Sequence, residues 1–190
     1  MNYDLQKADL SAVLSEGRLL ADETKRIIGT RSAAQINWKP SEEEWSIGQC
    51  FDHLIISNRP YFSIVDKILQ GERRPRLWER MPLLPALFAR LLIETLLPDS
   101  GRKVKARKAF YPSSSQIDPS IVTSFLEQQD RLLHLMEVSR GVDLEGITIT
   151  SPVSSFITYS LMDAYRIVVF HEQNHFVQAK RMLEMPGFPT

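Results

Sequence analysis

The sequence predicts an all-α fold: a four-helix bundle with a short helix and a basic loop inserted between the second and third long helices. Three observations predict it. Four long stretches repeat apolar residues at helical spacing, and two of them open on capping signals. Strand-like alternation is confined to one brief run, VDLEGITIT at 142–150, which reads as loop. With 190 residues, 43% of them hydrophobic, the chain can bury a substantial core, and 1–190 is expected to form one domain.

The first helix is expected from about Asp4 to Ile28, with Leu10, Val13, Leu14, Leu20 and Ile27 on its apolar side. Gly17 weakens it, and Gly29-Thr30-Arg31 ends it. The second begins at Ser46. There Ser46-Ile47-Gly48-Gln49 has the S-x-x-Q form of a capping box, and the helix runs to about Gln70, before Gly71. Its apolar face is Ile47, Phe51, Leu54, Tyr61, Val65 and Ile68. Pro60 lies mid-pattern and predicts a kink or a break. A shorter helix is expected around 83–96. The third long helix starts near Asp118, with Pro119 at its first position, and continues to Gly141. The fourth runs from Ser160, with Asp163 completing a second box, to about Glu184, closed by Pro186 and Gly187.

Composition excludes several classes. The formal net charge is zero, so nothing global points to nucleic acid. The opening MNYDLQKADL lacks the basic and apolar regions of a secretory signal. The most apolar segment, PLLPALFARLLIETLLP at 82–98, carries Arg90 and Glu94 and is too short for a membrane span, so no integral membrane association is expected. A single cysteine rules out an intramolecular disulfide and fits a reducing compartment; the expected location is cytoplasmic. Charge is nonetheless uneven. Between Glu72 and Lys108 there are ten Lys/Arg against four Asp/Glu, densest in GRKVKARK at 101–108. That run is a solvated loop, a basic lip that draws in an anionic substrate or thiol cofactor, or, joined to the apolar 83–97 helix, a membrane-surface or partner-binding element.

The fourth helix has the wrong seam for a core. In heptads the seam reads Leu161, Ala164, Val168, His171, His175, Gln178, Met182, so three consecutive seam positions are polar. Burying such groups without partners costs about 1–3 kcal/mol each. A metal ion would satisfy them, because histidines at i and i+4 share a face and can reach one ion. His53 on the second helix is the candidate third ligand. The small polar residues around it, Ser46, Cys50 and Ser57, resemble a cavity wall. Gln178 would orient a ligand or a bound water. Glu172 is either a solvated charge or a partner for a metal-bound water, and Asp52 a partner for a histidine of another helix. Trp45 reads as core packing, and His134 as structural. The literal His-Glu-x-x-His also matches a zinc protease motif. That reading needs a further downstream ligand, and the fifteen residues after His175 contain no histidine.

Two segments resemble a known family. WKPSEEEWSIGQCFDHL at 38–54 is similar to the N-terminal signature of the DinB/YfiT-like superfamily, and LMDAYRIVVFHEQNHFVQAKRML at 161–183 to its C-terminal one. Together they cover about 40 residues, in the family's order and spacing. The resemblance implies a four-helix bundle carrying a divalent metal on His53, His171 and His175. It also implies the enzymes of that superfamily: low-molecular-weight-thiol transferases, a thiol-dependent isomerase and metal-dependent hydrolases.

The expectation is therefore a metal-dependent enzyme, foremost a thiol S-transferase acting on small electrophiles in detoxification or stress. Glu172 and Gln178 are its candidate catalytic residues, and the metal is of the Zn, Ni or Fe class. The alternatives are a hydrolase using a metal-bound water and a non-catalytic, metal-stabilised binding or dimerisation module. The expected partner is a small-molecule substrate, with no nucleic acid. The exposed faces of the first and third helices suit a homodimer.

Overall fold

Asp9 sets where the first helix begins. Its carboxylate accepts the Ala12 amide at 2.8 Å, so α1 spans Leu10–Ile27; positions 4–7 of the expected start lie outside the described residues. The structure, a computed structural model, describes residues 8–75, 79, 107–155 and 157–190. The expected 83–96 helix and positions 101–106 of the basic run lie outside the described residues; Arg107 and Lys108 are exposed.

A short helix that periodicity did not predict, α2 (Ala33–Asn37), follows, with a capping box formed by Ser32 and Gln35. The predicted Ser46–Gln49 box is present and opens α3 (Ile47–Leu69). This helix runs unbroken through Pro60. Both halves are packed: Phe51 and Leu54 lie in one apolar cluster, Tyr61 and Val65 in another. Tertiary packing thus holds a helix that the proline alone would disfavour.

The third long helix, α4 (Ile121–Val138), begins later than expected. Pro119 and Ser120 form a preceding turn, in which the Asp118 carboxylate accepts the Ser120 amide at 2.8 Å. A 3₁₀ turn at Ser139–Gly141 ends it. The run read as loop then pairs. β1 (Thr148–Thr150) and β2 (Thr158–Ser160) form a two-stranded antiparallel sheet, with Ile149 opposite Tyr159. The pairing buries both residues almost completely, a tertiary gain that three residues of local pattern do not announce.

Ser160 caps α5 (Leu161–Leu183), its hydroxyl accepting the Asp163 amide at 3.0 Å. The reciprocal half of the expected box is replaced. The Asp163 carboxylate bonds the Ser160 hydroxyl at 2.9 Å and Arg166 at 2.7 Å.

The long helices form a ring in which α1 and α3 each pack against both α4 and α5. This is a four-helix bundle, with α3 and α5 as neighbours. Among the described residues, no helix is long and apolar enough to cross a membrane.

The interior is two apolar clusters with a polar layer between them. Val13, Leu14, Tyr61, Leu132 and Val168 belong to one; Leu20, Leu54, Phe125 and Phe176 belong to the other. Between them each of the four long helices contributes one residue. The Gln129 amide donates to the Gly17 carbonyl at 3.2 Å, and the Asn58 amide donates to Glu172 at 2.7 Å.

Candidate metal centre

The Ser46 cap fixes the start of α3, and His53 follows two turns later on the side that meets α5. His171 and His175 stand one turn apart on α5. The three rings converge. Centroids lie 5.0 Å apart for His53–His171 and 4.8 Å for both His53–His175 and His171–His175, with planes at 85°, 68° and 82°. One nitrogen from each ring lies within 4.8 Å of the others.

The Nε2 atoms of His53 and His171 are 3.1 Å apart. Two nitrogens bound to one ion at roughly 2.0–2.1 Å stand about 2.9–3.4 Å apart, for angles between right and tetrahedral. The observed pair falls in that range.

Hydrogen bonds orient two of the rings for this role. His53 Nδ1 is 2.5 Å from the Phe110 carbonyl, which can only accept. The proton therefore sits on Nδ1, and Nε2 presents a lone pair to the cluster. His175 Nδ1 lies 3.1 Å from Gln178 Oε1, a contact that fixes the orientation of this ring.

Electrostatics favours the ligand form of all three. Burial lowers the pKa of His53. Burial, with the neighbouring rings, drives that of His171 well below its ordinary value and that of His175 down to about 3. Neutral imidazoles with inward lone pairs suit a divalent cation. The donor set is nitrogen only, and the three residues could hold a metal ion.

Trp45 belongs to this site rather than to the core alone. Its ring is 4.9 Å from His53 and stacks at 22° on His175, 5.9 Å away. The expected small polar wall is not there. Ser46 and Cys50 have 0% exposure, and Cys50 lies in an apolar cluster where burial pushes its thiol up to about 12. Ser57 turns back to bond the His53 carbonyl at 2.7 Å. Among the described residues Asp52 hydrogen-bonds no histidine; it accepts the Ser113 amide at 2.5 Å, and its charge pulls the His53 pKa up against the larger effect of burial. His134 is exposed.

Glu172 is fully buried in the polar layer, and among the described residues its hydrogen bond goes to Asn58 rather than to a histidine. Burial raises its carboxyl to about 8, against the opposing pull of Gln129 and Asn58. Among the described residues its Oε2 has no hydrogen-bond partner, which suits a carboxyl that burial keeps protonated.

The Phe110 carbonyl, Asn58 and Gln129 escaped sequence reasoning. The first is a backbone atom with no signature. The other two carried one: Asn58 falls in the series Phe51, Leu54, Asn58, Tyr61, Val65, and Gln129 in Val122, Phe125, Gln129, Leu132, Met136. Both are polar residues at seam positions.

A family model described as the DinB superfamily matches residues 18–179. The chain belongs to the DinB superfamily. The match takes in the bundle from within α1 to near the end of α5, and with it all three histidines and Gln178. Comparison with curated proteins and with solved structures gives no match. DinB membership and the three-histidine cluster together fit a metal-dependent enzyme.

Proposed function

We propose that this DinB-superfamily protein binds a divalent metal through His53, His171 and His175 and transfers a low-molecular-weight thiol to a small electrophile. The observation that carries the reading is the convergence of three neutral imidazoles from two helices. Three protein nitrogens leave a coordination position for an exogenous group, as catalytic rather than structural sites do. A divalent ion held there would supply the acidification of a thiol at neutral pH.

The chain's own residues do the rest. Phe110 and Gln178 hold two imidazoles in the ligating tautomer, so binding costs little reorganisation. Trp45 shields two rings from water. In the transfer, the thiol loses its proton to solvent and its sulfur forms the bond to carbon. The leaving group departs with the electron pair, and no oxidant is needed. The thiol preference over hydrolysis rests on the family resemblance.

The test is elemental analysis of the purified protein beside His53→Ala, His171→Ala and His175→Ala. It is followed by turnover of a chlorodinitrobenzene with small thiols, before and after chelation. The proposal expects near-stoichiometric metal in the parent, at least tenfold less in each variant, and chelator-sensitive conjugation. Equal metal content in all four proteins would overturn the site. Chelator-sensitive ester cleavage without a thiol would assign hydrolysis instead. Unfolding on metal removal, with neither activity present, would assign the non-catalytic module.

A further inference from the structure

Upstream of α4, residues 107–117 form a strap tied to α2 and α3. The Phe110 carbonyl accepts from His53 at 2.5 Å, and the Ser113 amide donates to Asp52 at 2.5 Å. The Ser114 carbonyl accepts from Gln49 at 3.0 Å, and the Ile117 amide donates to Asn37 at 2.7 Å. Tyr111 lies between the first two anchors, so its backbone is held on both sides. The residue is nevertheless 45% exposed.

The ring is close to the metal cluster. It stands edge-on to Trp45, with centroids 6.1 Å apart and planes at 77°. Trp45 in turn touches His53 and His175. A continuous aromatic path therefore leads from two of the three candidate ligands out to solvent. An apolar ring pinned at the border of a site, yet left half in water, gains by covering its free face.

We propose that Tyr111, joined to the histidine cluster through Trp45, is a specificity-determining wall that receives a flat aryl group of a substrate held at that cluster. The inference rests on the metal reading above and names the substrate class for that site. Aromatic edges and faces favour an aryl group over an alkyl group of similar area, because offset and edge-to-face contacts add to burial.

The experiment uses the full-length protein loaded with cobalt and titrated with acetohydroxamate and benzohydroxamate, read by the visible spectrum of the ion. Both probes offer the metal the same group; only one carries a ring. The expected result is about tenfold tighter binding of benzohydroxamate. That preference should fall to within twofold in Tyr111→Ala and survive in Tyr111→Phe. Equal affinities in the parent, an undiminished preference in Tyr111→Ala, or its loss in Tyr111→Phe would each overturn the aryl wall while leaving the metal site standing. A parent protein that takes up no cobalt would overturn both.

Discussion

The Phe110 carbonyl decides which His53 nitrogen faces the cluster, because a carbonyl accepts and never donates. Cys50 is the converse case: a potential soft ligand three residues from His53 that its surroundings disable. Burial holds its thiol near 12, in an apolar cluster. Cobalt-substituted protein should accordingly show no thiolate-to-metal charge-transfer band, and Ellman's reagent should label Cys50 only as the protein unfolds. Glu172 allows a pH prediction. Its folded pKa, about 8, lies above its ordinary 4.5, so the folded state holds a proton that the unfolded chain releases between those values. The stabilising contribution is complete below about pH 4.5 and is lost as pH rises through 8. In chelator-treated protein, Glu172→Gln should remove this alkaline loss. The gain at pH 8 should be on the order of 4 kcal/mol by denaturant titration. An unchanged slope with pH would contradict the buried, protonated acid.

At the scale of the element, the start of α3 carries more constraint than its capping box. A Cβ built on Gly48 would stand 2.9 Å from both Ile117 Cβ and Ile36 Cγ2. Neither β-branched neighbour can yield easily. Gly48→Ala gains about 1 kcal/mol in helix propensity, yet should destabilise by a net 1–2 kcal/mol, roughly, through overpacking. Thermal or urea unfolding would measure it, and a stabilised variant would contradict the close packing. The glycine after Trp45-Ser46-Ile47 is thus explained by the approach of α2 and the strap, the contact that also positions Gln49, Asp52 and His53. Ser46→Ala would test the cap separately, at a cost of about 1 kcal/mol.

Across the whole molecule, the bundle core is interrupted by its own polar layer, close to the ring cluster. Three imidazoles collected without a cation cost stability, and a bound cation returns it by mass action. Metal at a thousandfold excess over its dissociation constant should raise unfolding free energy by about 4 kcal/mol. Chelation should lower the melting temperature of the parent and leave His171→Ala unmoved; equal shifts in both would place the metal elsewhere. Arg107 and Lys108, exposed at the start of the strap, are the described part of the basic run. If they steer an anionic thiol or substrate, its association should slow as salt rises; a salt-independent rate would leave them as solvated surface.

Periodicity and chemistry in the sequence determined the bundle, the Ser46 box and the grouping of the three histidines, while the family was legible through the resemblance of segments 38–54 and 161–183 to its signatures. Each is carried by side chains at fixed spacing along one helix or in one signature. Asn58 and Gln129 were legible in the same way, as polar residues at seam positions of α3 and α4. Only the tertiary structure decided the rest, because it depends on groups distant in the chain meeting. The Phe110 carbonyl finds His53 across 57 residues, and β1 finds β2. Packing on both sides carries α3 through Pro60, and Glu172 is enclosed by the other helices rather than left to solvent. A helical repeat reports which face is apolar. It does not report which partner covers that face, or which backbone atom comes within hydrogen-bonding reach.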